Sequence, residues 1–236
     1  MSKKSNLKKT KQPNLILVNQ NNHLRLINIK PLTENQKIIF SDYNKGKNLF
    51  LHGSAGTGKT FLSLYLSLKT ILDTRQYKKI IIIRSTVPSR DMGFLPGSVK
   101  DKQKVYESPY RESINELFER GDAYDILRNK GMIDFISTSF IRGTTFNNAI
   151  VIADEIQNFE WNELFATITR FGNNCKLICS GDIKQKDLKF SDNLIKFTNV
   201  IKHMKDFSFI ELNSNDIVRS DLVKDFIIQA EQLGYL

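Results

Sequence analysis

The sequence predicts an α/β fold in three layers, with a mostly parallel β-sheet between two layers of helices. Apolar runs of strand length recur along the chain, among them residues 49–51, 80–83 and 149–153. Such runs are typical of strands buried on both faces of a parallel sheet. Segments with apolar residues at helical spacing lie between them, and 236 residues are enough for one substantial core.

Composition and charge limit the class of protein. Hydrophobic residues make up 40% of the chain and charged residues 25%, which is ordinary for a globular protein. No apolar run reaches the length of a membrane span, and the N-terminus lacks the apolar segment of a secretory signal, so we expect a cytoplasmic protein. Cys175 and Cys179 are expected to be buried, reduced thiols. The net charge of +10 indicates a polyanionic partner.

The N-terminal part of the chain is predicted to lie outside a main domain of residues 32–236. Residues 1–12 carry five lysines and no acidic residue, and they form either a solvated tail or an arm that binds nucleic acid. Residues 13–31 contain two β-prone runs, 15–18 and 24–29, separated by Asn and Gln residues that favour a turn. We therefore expect a small N-terminal β-hairpin.

The most informative stretch joins a predicted strand to a predicted helix. Eight residues fit the pattern G-x-x-x-x-G-K-[ST] at each fixed position: Gly53, Ser54, Ala55, Gly56, Thr57, Gly58, Lys59 and Thr60. Glycines let backbone N–H groups surround phosphate oxygens where the following helix begins. We expect Lys59 to contact the β- and γ-phosphates of a bound nucleotide, and Thr60 to bind Mg²⁺.

Gln36 has two interpretations. A helix is expected over residues 33–43, where Thr33 is suited to cap the N-terminus and Gln36 lies at the capping-box spacing. Alternatively, a glutamine one helix before the phosphate loop recognises adenine, as it does in many helicases. The sequence leaves both open.

An acidic pair follows another predicted strand. Asp154 and Glu155 come directly after the run 149–153, at the sheet edge where the phosphates are expected. Asp154 is suited to hold the hydration shell of Mg²⁺, and Glu155 to orient and polarise the water that attacks the γ-phosphorus. The second carboxylate therefore indicates hydrolysis.

The remaining elements follow from the same patterns. Arg84 ends the run 80–83, and residues 85–97 form a candidate functional loop. Residues 98–128 have a helical pattern, with breaks expected at Pro109 and Gly121. Further strands are expected over residues 133–137, 176–179 and 207–212, and further helices over residues 158–171 and near the C-terminus.

A third motif follows the strand expected over residues 176–179. Residues 180–185 read SGDIKQ, in which Gln185 is suited to sense the γ-phosphate and Asp182 to bond to the coupling machinery. This G-D-x-x-Q gains weight as the third motif at a strand end, after the phosphate loop and the acidic pair.

Five segments together resemble the PhoH-like P-loop ATPase family. They are GSAGTGKT at 53–60, MGFLPG at 92–97, RGTTFNNAIVIADEIQN at 142–158, SGDIKQKD at 180–187 and NDIVRSDLV at 215–223. The resemblance covers about residues 32–234 and implies a RecA-like core similar to the first motor domain of superfamily 1 helicases. It also implies ATP and Mg²⁺ as ligands and ATP hydrolysis as the activity. The compact length is typical of bacteriophage members of this family.

Two functions fit these predictions. The first is an ATPase that couples hydrolysis to the binding or remodelling of single-stranded RNA or DNA, in a helicase-like or ribonuclease-accessory role. The second is an ATP-dependent regulatory or protein-remodelling module without a nucleic-acid substrate. Fold does not decide between them, because one fold serves many functions.

The source of an arginine for the γ-phosphate is open at this point. A lone RecA-like core lacks the second motor domain that supplies one in helicases. Arg219 precedes the last predicted helix, and in a ring of identical subunits it would enter the site of a neighbour. Arg84 and Arg142, at strand ends, are alternatives within the same chain. The resemblance favours a hexameric ring.

Overall fold

The computed structural model describes residues 24–86, 99–182 and 191–235, which form a six-stranded sheet with helices on both faces. The strands are β1 (Asn48–Gly53), β2 (Lys79–Arg84), β3 (Ile133–Ser137), β4 (Ala149–Asp154), β5 (Cys175–Gly181) and β6 (Phe207–Leu212). The helices are α1 (Glu34–Asn44), α2 (Lys59–Asp73), α3 (Val99–Leu117), α4 (Ala123–Asn129), α5 (Trp161–Thr169), α6 (Ser191–Lys202) and α7 (Asp221–Gln232). The predicted α/β fold class is confirmed.

The strand order brings the loops of interest together. The order is β3-β2-β4-β5-β1-β6, and each strand pairing in the described part of the chain is parallel. Parallel strands have their carboxyl ends at one edge, so the loops after β2, β4, β5 and β1 lie side by side there. In open α/β sheets this edge is where ligands bind.

The strands are apolar throughout because both faces of the sheet are covered. Successive side chains alternate between the faces. Leu49 and Leu51 point into a core closed by α1, α2, α3 and α4, whereas Phe50 points into a second core closed by α5 and α6. The continuous apolar runs of the sequence thus correspond to central strands between two helical layers.

The predicted N-terminal hairpin is wrong in its second half. Residues 24–29 form no strand. Their apolar side chains instead pack against the core between the sheet and helices α1–α4, and the Ile27 N–H donates to the Leu117 carbonyl oxygen at 2.9 Å. The β-prone composition thus reflects burial against helices rather than pairing between strands. The run 15–18 and the basic tail 1–12 lie outside the described residues.

Helix α3 runs through Pro109, where a break was expected. Residues beyond the proline, including Tyr110, Ile114 and Leu117, are fully buried in the core. Their packing outweighs the backbone hydrogen bond that a proline removes from a helix. The break expected at Gly121 is confirmed, since α3 ends at Leu117 and α4 begins at Ala123.

Candidate nucleotide-binding site

The glycine-rich loop connects the end of β1 to the start of α2. Gly53 has a φ of 124°, and a Cβ at this position would lie 1.8 Å from the Leu212 carbonyl oxygen, so a side chain does not fit. Gly58, with a φ of 83°, is the N-cap residue of α2. The unpaired N–H groups and the positive end of the α2 dipole therefore face the loop, which has the geometry of an anion-binding site.

Lys59 is held inside this loop. Its Nζ donates to the carbonyl oxygens of Gly53 at 2.7 Å and Ser54 at 2.8 Å. Burial lowers the pKa of Lys59, while the nearby carboxylates of Asp182 and Glu155 act in the opposite direction. The lysine thus lies between the loop and a group of acidic side chains.

The two residues predicted to bind metal are in contact. Asp154 is only 3% exposed, and its carboxylate accepts hydrogen bonds from the Thr60 hydroxyl at 3.0 and 3.1 Å. The two residues are far apart in sequence but meet in the fold, because β4 ends beside the start of α2. The structure thus places Thr60 and Asp154 together, as the metal prediction requires.

Two further hydroxyls donate to Asp154, and neither was predicted from the sequence to belong to the metal site, although Ser180 opens the SGDIKQ motif. The Ser180 Oγ donates to Asp154 Oδ1 at 2.5 Å, and the Tyr110 hydroxyl donates to Asp154 Oδ2 at 2.8 Å. Ser180 comes from β5 and Tyr110 from α3, and both are fully buried. Three hydroxyl donors therefore fix the orientation of this carboxylate.

This cluster fits Mg²⁺ by the chemistry of its donors. Mg²⁺ prefers oxygen ligands and is usually held by one or two carboxylates together with water and substrate phosphates. Asp154 and Thr60 supply a carboxylate and a hydroxyl at the mouth of the phosphate loop. The described residues contain no group of three His, Cys, Asp or Glu side chains able to hold a metal, so the other ligands would be water and phosphate.

Glu155 has a different environment from Asp154. Its backbone adopts the left-handed conformation, with a φ of 53°, and its carboxylate accepts a hydrogen bond from the Gln157 side-chain amide. Burial and the neighbouring Asp154 raise the pKa of Glu155, although Gln157, Arg84 and Lys59 oppose this shift. A carboxylate with a raised pKa is suited to accept a proton.

Gln157 joins Glu155 to the start of the third motif. Its side-chain oxygen accepts from the Asp182 N–H at 3.1 Å. A Cβ at Gly181 would lie 2.7 Å from the same oxygen, so the glycine permits this close approach. Gln185, the residue predicted to sense the γ-phosphate, lies outside the described residues, as does the MGFLPG loop at 92–97. Their roles stay predictions.

The phosphate loop and the acidic pair line one cleft of about 480 Å³. Its walls include most of the phosphate loop and both acidic residues, together with residues of α3 and of the segment before α7: Ala55, Gly56, Thr57, Gly58, Lys59, Thr60, Phe61, Arg84, Pro109, Tyr110, Ser113, Glu116, Asp154, Glu155, Val218 and Arg219. The structure therefore brings together Lys59, Thr60, Asp154 and Glu155, as the sequence predicts.

The three candidate arginines lie in different places. Arg84 and Arg219 both line the cleft, whereas Arg142 is exposed and is not among its lining residues. Arg219 is next to the phosphate loop of its own chain, because the Val218 N–H donates to the Gly56 carbonyl oxygen at 3.3 Å. This position favours action within the chain over the predicted donation to a neighbour.

Gln36 is not among the residues that line the cleft. It is 3% exposed, and its side-chain oxygen accepts from the Leu32 N–H at 2.8 Å. Thr33 caps α1 as expected by accepting from the Gln36 N–H, but the reciprocal bond goes to Leu32 rather than to Thr33. Gln36 thus holds the chain at the entry to α1, and its contact with adenine stays a prediction.

Comparison with known proteins identifies the family of this chain. The family model described as PhoH-like protein matches residues 28–231. The chain belongs to the PhoH-like family. The PhoH-like protein of Bacillus subtilis (strain 168) is 32% identical over 202 residues, covering 84% of this chain and 63% of that protein. The PhoH-like protein of Mycobacterium leprae (strain TN) is 31% identical over 202 residues, covering 84% of this chain and 57% of that protein.

This PhoH-like chain therefore spans less than two thirds of the length of these two relatives. A crystal structure of the helicase MrfA bound to DNA superposes with a TM-score of 0.47 and 13% identity, covering 76% of this chain and 25% of that chain. Among the described residues, no helix is long and apolar enough to span a membrane. The family is as expected, whereas a bacteriophage origin stays a prediction.

Proposed function

We propose that this PhoH-like protein binds ATP with Mg²⁺ and hydrolyses the γ-phosphate. The observation that carries the proposal is the contact between Thr60 and Asp154 inside the cleft that also holds Lys59 and Glu155. These are the parts of a phosphoryl-transfer site: a phosphate cradle, a cation-binding pair and a carboxylate for the attacking water.

Each side chain then has a separate task. The loop N–H groups and Lys59 bind the phosphates, and Thr60 and Asp154 hold the cation in register with them. Bound Mg²⁺ would neutralise charge on the β- and γ-phosphate oxygens. Glu155 positions a water molecule and accepts its proton, which suits a carboxylate whose pKa is raised by burial. Arg219 lies where it would contact the nucleotide beside Gly56.

The proposed role of this activity is to bind or remodel single-stranded RNA or DNA in the cytoplasm. Its support is the net charge of +10, which concentrates phosphate backbones near the protein. The alternative is an ATP-dependent regulatory or protein-remodelling module, in which the bound nucleotide acts as a switch. The two functions differ in whether nucleic acid changes the rate of hydrolysis.

We also propose a homo-oligomer, with a hexameric ring as the assembly that the sequence resemblance favours. Helix α7, which follows Arg219, exposes Leu222 and Phe226 at 80% and 72%. Burying such side chains between subunits would stabilise a contact next to the cleft.

The test is the ATPase rate of the purified protein with and without single-stranded RNA or DNA, across a series of salt concentrations. We expect stimulation whose apparent affinity falls steeply with salt, because bound Lys and Arg side chains release counterions. Lys59→Ala should abolish turnover, and Lys69→Ala is its matched control, since Lys69 is an exposed lysine of α2 paired with Asp73. Absent or salt-insensitive stimulation would favour the regulatory module.

A chain without residues 1–12 refines the same test. The deletion removes five lysines and no acidic residue. If the tail binds nucleic acid, the plot of log affinity against log salt should become shallower. An unchanged slope would show a solvated tail.

A further inference from the structure

Arg84 lines the cleft beside Asp154, the first residue of the acidic pair. It is the last residue of β2, and the sheet register pairs it with Asp154 at the end of β4. Because β2 and β4 are parallel neighbours, both side chains emerge at the carboxyl edge of the sheet. Arg84 thus lines the same cleft as Lys59 and Glu155.

Two tyrosine rings from α3 hold the Arg84 side chain. Its guanidinium carbon lies 5.8 Å from the centroid of the Tyr106 ring and 5.9 Å from that of the Tyr110 ring. These distances are within the range of cation–π attraction. Tyr110 is itself fixed by its hydrogen bond to Asp154. The guanidinium is therefore positioned before any substrate binds, which is the condition for effective electrostatic stabilisation.

The charges around Arg84 show which part of a nucleotide it would meet. Arg84 and Lys59 are both cations that interact with Glu155, the carboxylate expected to orient the attacking water. In an in-line displacement the γ-phosphate lies between that water and the rest of the nucleotide. A cation close to both Glu155 and Asp154 is thus close to the phosphoryl group that is transferred.

The other two arginines do not share this position. Arg219 lies against Gly56, where a Cβ on the glycine would be 3.1 Å from its Cγ. Arg142 is exposed and outside the cleft lining. Arg84, by contrast, is paired with Asp154 by the sheet register and interacts with both carboxylates of the acidic pair.

We propose that Arg84 contacts the γ-phosphate of ATP within its own chain and stabilises the charge that develops on the transferred group. The proposal rests on the ATPase function proposed above. In the step, the water oxygen bonds to the γ-phosphorus and its proton passes to Glu155. The bond from phosphorus to the β–γ bridging oxygen breaks, and ADP leaves with the electron pair. Arg84 remains a cation throughout and donates hydrogen bonds to the γ-phosphate oxygens.

The test compares Arg84→Ala and Arg84→Lys with the wild-type protein in three measurements. These are the affinity for ADP, the affinity for a non-hydrolysable ATP analogue and kcat, all with Mg²⁺. We expect both variants to bind ADP within about twofold of wild type and to bind the analogue about tenfold or more weakly. The kcat of Arg84→Ala should fall by about 10³-fold, as loss of an arginine finger does. Arg120→Ala is the control, because Arg120 pairs with Asp122 and is not among the residues that line the cleft, so it should change none of these values.

The Arg84→Lys variant separates this role from simple charge balance. Its ammonium group would keep a positive charge beside the two carboxylates, but the variant would lose the planar fork that binds two phosphate oxygens. Equal loss of ADP and analogue binding, or full rescue of kcat by Arg84→Lys, would overturn the proposal. A wild-type protein that binds neither nucleotide would overturn the proposed ATPase function itself, and this role of Arg84 with it.

Discussion

The two adjacent carboxylates of the cleft, Asp154 and Glu155, have different environments that suit them to different roles. Asp154 accepts hydrogen bonds from three hydroxyls, which leaves it well oriented. Glu155 takes one bond from an amide, and its pKa is raised by burial and by Asp154. A carboxylate held in place by hydrogen bonds is suited to hold a cation, whereas a raised pKa favours proton uptake. One residue of the pair is therefore suited to the metal and the other to the water.

Glu155→Gln tests this division. The amide keeps the shape of the side chain but does not accept the proton of water, so we expect kcat to fall by about 10²- to 10⁴-fold while ATP still binds with Mg²⁺. Steady-state ATPase kinetics and equilibrium nucleotide binding measure the two effects. Glu112→Gln, at an exposed position of α3, is the control. Loss of binding in proportion to turnover would make Glu155 a metal ligand instead.

Lys176 is a buried cation at the opposite end of the sheet from the cleft. It is 5% exposed, and its Nζ donates to the Tyr43 carbonyl oxygen at 2.9 Å and lies 4.0 Å from the centre of the Tyr43 ring. Burial lowers the pKa of Lys176 to about 8, against an ordinary value of 10.5. The unfolded chain therefore binds more protons than the folded chain between these two values.

Stability should depend on pH as a result. The free energy of unfolding is expected to rise between about pH 8 and 10.5. Below this window Lys176 is protonated in both states, so it adds nothing to the pH dependence of stability there. Lys176→Met should remove that part of the rise, because methionine does not titrate. The Tyr43 carbonyl keeps its hydrogen bond from the Gly46 N–H in this variant. Urea unfolding of both proteins at several pH values measures the difference. Identical pH dependence would show that Lys176 is not desolvated.

Helix α3 contributes one hydroxyl group to the proposed cation site. Tyr110 is fully buried, and its hydroxyl donates to Asp154 at the end of β4. Tyr110→Phe removes this donor while keeping the ring beside Arg84. Because a hydrogen bond to a charged group contributes about 1.5–3 kcal/mol, the Mg²⁺ concentration for half-maximal activity should rise by about tenfold or more.

Another tyrosine provides a matched control for this variant. Tyr124 is also buried and donates to a buried carboxylate, that of Glu107, but it is not among the residues that line the cleft. Tyr124→Phe should lower thermal stability without changing the Mg²⁺ requirement. If both variants respond alike, the effect of Tyr110 is on folding rather than on the cation site.

The elements show what sequence patterns can reveal. Residues 133–137 were predicted as a strand with the bounds that the structure has. The run 80–83 lies inside β2, because a continuous apolar β-branched run is typical of a strand buried on both faces of a sheet. Residues 24–29 have a similar composition but pack on helices, and Pro109 lies inside α3, because tertiary packing overrides local preference. Tyr110 lies 44 residues from Asp154, and no local pattern marks a contact across that separation.

A segment near the C-terminus, which contains Val218 and Arg219, forms part of the cleft wall. The 3₁₀ turn Ser214–Asp216 precedes Arg219, and the buried Asp216 accepts bonds from the side chains of Thr33 and Asn35 at the start of α1. The Val218 N–H then bonds to the phosphate loop at Gly56. Residues 32–36 and 213–219 are thus held together, and they place Arg219 beside the nucleotide site of its own chain.

Mixing two impaired variants tests whether a site is complete within one chain. Arg219→Ala is expected to weaken nucleotide binding by about tenfold or more, and Lys59→Ala to abolish turnover. Because both side chains line one cleft, mixed oligomers of the two variants should regain no activity beyond the sum of the separate proteins. Sedimentation with ATP and Mg²⁺ measures whether the variants assemble. Recovered activity in such a mixture would mean that a neighbour donates Arg219, and that the contact with Gly56 opens when subunits associate.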